Sequence, residues 1–143
     1  MRGDHPSALN KFEDAIKADY NFAAAYAQKA NELVFNGRPK EAIEPGKEAI
    51  DRSPFDQSIG VFYFIVGRAY FVMGEYQKAA EWLDKAVEKR GNLYFLQSYR
   101  VAAYALSGQV TKAQEEGGSF RKFSRYTPAL RSGTSIVMNN IVR

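Results

Sequence analysis

GVFYFIVGRAYFVMGEYQKAAEWLDKAVEKRG, residues 60–91, reads as two helices meeting at a glycine. The second half carries the plainer pattern. Ala79, Leu83, Ala86 and Val87 recur at helical spacing on one face, while Glu81, Asp84, Lys85 and Glu88 fall on the other. Glu81 and Lys85 stand four apart in the favourable order for a helical ion pair. The first half, Ile59 to Met73, is apolar nearly all round, as in a helix covered on every side. It is too short to cross a bilayer and carries Arg68. Gly74 divides the two, where a left-handed residue that ends a helix is tolerated best by glycine.

The same layout extends outward in both directions. Gly3, Gly37, Gly74 and Gly108 are spaced 34, 37 and 34 residues apart. Ala8, Ala42, Ala79 and Ala113 keep those spacings, and so do Ala15, Ala49, Ala86 and Phe120. Three series share one register, including one common insertion of three residues. The alanines fall where two helices of a hairpin must approach closely. The chain is therefore expected to be all-α, a row of antiparallel helix pairs joined by tight turns.

These positions resemble the tetratricopeptide repeat (TPR). Residues 60–91 supply Tyr63, Val66, Gly67 and Tyr70 on the first helix, then Tyr76, Ala79, Leu83 and Ala86 after the turn at Gly74. Residues 23–54 supply Tyr26, Ala30, Leu33, Gly37, Ala42, Ala49 and Pro54. The next unit keeps Tyr104, Gly108 and Ala113, then departs, with Gly117 in place of an aromatic and Phe120 in place of an alanine. The resemblance implies a right-handed superhelix of about three full repeats after a leading half repeat. The divisions are a half repeat at 3–22, repeats at 23–57, 58–93 and 94–126, and a basic tail or capping segment at 127–143. Pro45 is expected to kink its helix, Gly46 to leave an aromatic site empty, and Gly117-Gly118 to weaken the last unit. The middle unit is expected to be the most rigid and the third to fray. Phrases such as Tyr20-Asn21-Phe22-Ala23 and Ser53-Pro54-Phe55-Asp56 resemble TPR portions of bacterial signalling proteins, among them class III nucleotide cyclases and winged-helix transcription activators.

Composition narrows the function classes. The chain has 143 residues, 45% hydrophobic and 25% charged, which suits one globular domain. There is no cysteine, which removes disulfides and thiolate chemistry, and the one histidine, His5, argues against a metal site. No Ser-His-Asp or Cys-His set and no glycine-rich phosphate loop can be assembled. Carboxylates such as Glu115 and Glu116 are neighbours on a helix and point apart. The expectation is a protein that is not an enzyme and takes no cofactor. Met1-Arg2 runs into Gly, Asp, His and Pro without an apolar leader, so a cytoplasmic location without membrane contact is expected. Net charge is +4, and no acid follows Glu116. Arg121, Lys122 and Arg125 interleave with Phe123 and Tyr126 there, but no recognisable nucleic-acid fold accompanies them, and no nucleic-acid partner is expected.

The resemblance implies a concave groove lined by the first helix of each pair. Its positions fall on Ala24, Ala27, Gln28, Asn31 and Val34, then on Val61, Phe64, Ile65, Arg68 and Phe71, then on Phe95, Ser98, Tyr99, Ala102 and Ala105. This lining is apolar and aromatic. It lacks the two-carboxylate clamp by which some TPRs hold chaperone tails, since those positions hold Ala27, Asn31, Ile65, Phe95 and Tyr99 and only Asn31 fits. Either the superhelix itself or the chain's C-terminal tail covers this lining, or it receives a protein or peptide partner with apolar anchors at Asn31, Val61, Phe64, Arg68, Phe71, Phe95 and Tyr99. Arg68 has two readings, pairing with a nearby acid or carbonyl, or holding a ligand carboxylate. The chain also begins mid-repeat, leaving Leu9, Phe12 and Ile16 without a preceding helix. Either it is part of a longer protein or another surface covers these residues. The second case gives a homodimer through Leu9, Phe12 and Ile16 or through the groove.

Overall fold

A computed structural model describes residues 5–19, 22–90 and 93–124. Seven α-helices and no strand occur among the described residues: α1 (His5–Ala18), α2 (Ala23–Phe35), α3 (Pro39–Arg52), α4 (Ile59–Val72), α5 (Tyr76–Arg90), α6 (Tyr94–Leu106) and α7 (Val110–Ser124). The pairs α2–α3, α4–α5 and α6–α7 follow a leading α1, and each pair packs on the next. The expected tail at 127–143, together with Gly3, lies outside the described residues.

The turns follow from glycine. Gly37, Gly74 and Gly108 have φ of 72°, 80° and 84°, and they are the only described residues in that left-handed region. Each closes its helix with the same two bonds. Gly37 N donates to Val34 O and Arg38 N to Leu33 O; Gly74 N donates to Phe71 O and Glu75 N to Tyr70 O; Gly108 N donates to Ala105 O and Gln109 N to Tyr104 O. This is the Schellman arrangement, which satisfies the last carbonyls of a helix and reverses the chain.

The helices then meet through alanine. Ala42, Ala79 and Ala113 are fully buried, as are Ala49 and Ala86. A larger residue at these positions would separate the paired helices. The core continues through Leu33, Phe62, Ile65, Val66, Leu83, Leu96 and Val101. α4 lies at the centre and touches α2, α3, α5 and α6, which accounts for its apolar surface all round. Burying a side chain such as Val66 or Ile65 contributes roughly 1.5–3 kcal/mol.

The helices that carry Pro45 and the Gly117-Gly118 pair are both continuous. α3 runs through Pro45 from Pro39 to Arg52 without interruption. The carbonyl that loses its partner there is that of Glu41, a residue exposed to solvent. α7 likewise continues through Gly117 and Gly118. Nor is the Gly46 position empty. A Cβ on Gly46 would lie 2.7 Å from Val66 Cγ2 and 3.7 Å from Ala30 Cβ, so the bare backbone is what lets α3 approach α4. Gly67 does the same against Leu83, where a Cβ would meet Cγ at 2.9 Å.

Candidate functional site

Because α2 packs on α4 and α4 on α6, the first helices of the three pairs form one continuous surface. The residues assigned to the lining from sequence divide into two clusters along it.

The first cluster is aromatic and spans α4 and α6. The Phe64 ring meets Phe95 at 5.1 Å and Tyr99 at 5.4 Å, both edge to face. Tyr99 meets Phe71 at 5.2 Å, and Phe71 meets Tyr76 of α5 at 5.3 Å. Such T-shaped contacts add about 0.5–1.5 kcal/mol each to the burial they accompany. The members differ in access. Phe64 is only 8% exposed, being covered by Phe95 and Tyr99, whereas Phe95 is 46% exposed. Val61, Phe71 and Tyr99 are half-buried and packed against the core. Phe64 thus supports the aromatic surface, while Phe95 presents it.

The second cluster is polar and spans α2 and α4. Arg68 Nη2 donates a hydrogen bond of 2.7 Å to Asn31 Oδ1, across 37 residues of sequence. The guanidinium carbon lies 4.5 Å from the centre of the Phe35 ring and 5.6 Å from that of Phe64. Arg68 Nε is buried without a hydrogen-bond partner. Burial lowers the Arg68 pKa from its ordinary value, with Tyr99 acting weakly in the other direction. A guanidinium stays protonated under such a shift, so Arg68 is a partly desolvated cation.

Among the sequence-assigned residues, Asn31 and Arg68 are joined directly, and Phe64, Phe71, Phe95 and Tyr99 are joined through their rings. Ala27, Ile65 and Ala102 are buried and support this surface from beneath. Sequence reasoning missed Phe35, which is 67% exposed and stacks over Arg68. Its place four residues after Asn31, on the same face at the end of α2, was the available signal. At the other end of the chain, Leu9, Phe12 and Ile16 of α1 are half-buried, and α2 is the main surface against which α1 packs.

Among the described residues, no group of three or more His, Cys, Asp and Glu side chains is placed to hold a metal ion, and no helix is long and apolar enough to cross a membrane.

No family model matches the chain, and no curated protein matches it. Solved structures do. The crystal structure of MamA superposes with a TM-score of 0.79 at 21% identity, over 97% of this chain and 80% of that one. A thermophilic TPR protein in Thermus thermophilus, TTC0263, superposes with a TM-score of 0.74 at 23% identity, over 97% of this chain and 75% of that one. A Podosopora anserina putative kinesin light chain with nearly identical TPR-like repeats gives a TM-score of 0.76 at 19% identity, over 98% and 76%. These likenesses, with the glycine turns and alanine contacts above, define the fold as a TPR solenoid.

Proposed function

We propose that this chain is a protein-interaction scaffold. It receives a peptide or helix of a partner protein in an apolar groove formed by α2, α4 and α6. The observation that carries the reading is the aromatic cluster of Phe64, Phe71, Phe95 and Tyr99. Its outermost ring, Phe95, is half exposed and rests on Phe64, which meets Tyr99 and through it Phe71. A rigid, partly exposed aromatic on a packed base suits an apolar anchor, because little ordering is needed on binding.

The test is selection of binders from a displayed library of random linear peptides, using the whole chain as target. Peptides that bind the native chain and lose affinity for Phe95→Ala support the groove. Binders indifferent to Phe95→Ala, or none at all, overturn it.

A second reading is a self-assembling or regulatory segment of a larger bacterial signalling protein. The half-buried row Leu9, Phe12 and Ile16 on α1 favours it, since the apolar area left open there is available to a second copy.

A further inference from the structure

We propose that Arg68 and Asn31 form a carboxylate subsite, which holds an aspartate or glutamate side chain of the partner segment bound in the groove. The proposal rests on the groove reading above and adds to it a charge requirement on the ligand.

The argument begins with how this chain treats its other half-buried arginines. Arg52 pairs with Glu48, and Arg100 with Glu116 and, at 3.6 Å, with Asp84. Arg52 and Arg100 have side chains only 10% and 11% exposed, and both are neutralised by carboxylates. Arg68 is different. Among the described residues no carboxylate lies within ion-pair distance of it, and its single hydrogen bond goes to a neutral amide. A partly desolvated cation with no counter-charge favours any anion brought to it, and more strongly than an exposed one does.

Geometry shows where that anion would sit. An arginine has only donors to offer, so the Asn31 amide must turn its oxygen to Arg68 and its nitrogen away. No hydrogen bond from Asn31 Nδ2 or Arg68 Nη1 occurs among the described residues, and neither is a buried atom left without a partner. Two open donors on neighbouring helices, one of them charged, make a receptor for a carboxylate. The Asn31 bond holds the guanidinium in place, and the rings of Phe35 and Phe64 flank it. Little side-chain entropy is then left to lose on binding.

The Phe64 ring joins this subsite to the apolar anchor. It lies 5.6 Å from the guanidinium carbon on one side and 5.1 Å from the Phe95 ring on the other. An occupant therefore carries its acid about one or two helical turns from a large apolar residue. The occupant that matches this pairing of a cation with an aromatic surface is a partner segment with an acid beside a large apolar residue.

The experiment repeats the random-peptide selection on the native chain, Arg68→Met and Asn31→Ala, each checked for helical circular dichroism. Selected peptides are resynthesised with the acid replaced by its amide. The expected result is a shared acidic residue beside an apolar one among native-selected peptides. Loss of the acid should weaken binding to the native chain about 10-fold or more, the range of a charge-assisted bond. Acid and amide peptides should bind Arg68→Met equally, and Asn31→Ala should show a reduced preference. Should Arg68→Met fail to fold, the Asn31→Ala preference decides. Binders that depend on Phe95 without any acid preference would overturn the subsite and leave the groove standing. Binders indifferent to Phe95 would overturn both.

Discussion

The Tyr104 hydroxyl donates a hydrogen bond to the Asp84 carboxylate, joining α6 to α5 across 20 residues of sequence. One helical turn earlier, Arg100 lies 3.6 Å from the same carboxylate and pairs with Glu116 of α7. These four side chains tie the second helix pair to the third. They are the polar counterpart of the alanine contacts that hold each pair together.

Tyr104→Phe should therefore destabilise the chain by about 0.5–1.5 kcal/mol, the net worth of one hydrogen bond. The effect has a pH signature. Burial, then the bond to Asp84, raises the Tyr104 pKa well above its ordinary value of 10.0. A group whose folded pKa is raised contributes stability that is complete below its unfolded pKa and is lost as pH rises toward the folded one. The native chain should thus lose stability from about pH 10 upward more steeply than Tyr104→Phe. Denaturant unfolding of both proteins at neutral and alkaline pH checks this, and parallel curves would refute it.

Gly46→Ala separates two opposing effects. In an open helix the change would stabilise by about 1 kcal/mol. Here the new Cβ would meet Val66 Cγ2 at 2.7 Å, so a net loss of about 1–3 kcal/mol is expected from overpacking. Val66→Ala should cost stability alone and cost less in the Gly46→Ala background. Additive behaviour in the double mutant would contradict the close approach.

The turn glycine Gly74 and the helical glycine Gly118 both have open space around a built Cβ, yet they should respond oppositely. Gly74 has φ of 80°, so Gly74→Ala should cost about 1–2 kcal/mol in backbone strain. Gly118→Ala lies in α7 and should stabilise by about 0.5–1 kcal/mol. Thermal unfolding of the two variants distinguishes them by sign.

Phe95→Ala should weaken binding of a groove peptide by about 1–3 kcal/mol while changing stability less, because the ring is 46% exposed. Phe64→Ala should reduce both, since that ring is 8% exposed and bears Phe95 and Tyr99. Calorimetric titration of one selected peptide, beside thermal unfolding, measures the split. A larger stability loss at Phe95 than at Phe64 would reverse the assignment of the two roles.

Self-association through α1 predicts a dimer at high protein concentration that Phe12→Glu disperses. Sedimentation over a wide concentration range reads this directly. A native monomer throughout would remove the self-assembly reading, and a dimer indifferent to Phe12→Glu would exclude α1 as its contact.

Sequence alone determined the helix pairs, the turns at Gly37, Gly74 and Gly108, and the alanine contacts at 42, 79 and 113. These features are local or periodic. A left-handed turn needs glycine wherever it occurs, and a repeating close contact needs a small residue at each repeat. Sequence also placed Asn31, Arg68, Phe64 and Phe95 on one surface, because the repeat register carries from unit to unit. What it could not decide was how neighbouring units meet. Pro45 and Gly46 read as damage in isolation, but Gly46 makes room for Val66 on the next helix. Phe64 read as one groove-lining anchor among several until α6 laid Phe95 and Tyr99 over it. Arg68 had two readings until tertiary packing gave it Asn31 and Phe35 as neighbours and no acid among the described residues. Exposure and pairing are properties of the interface between repeats, and that interface exists only once the helices have stacked.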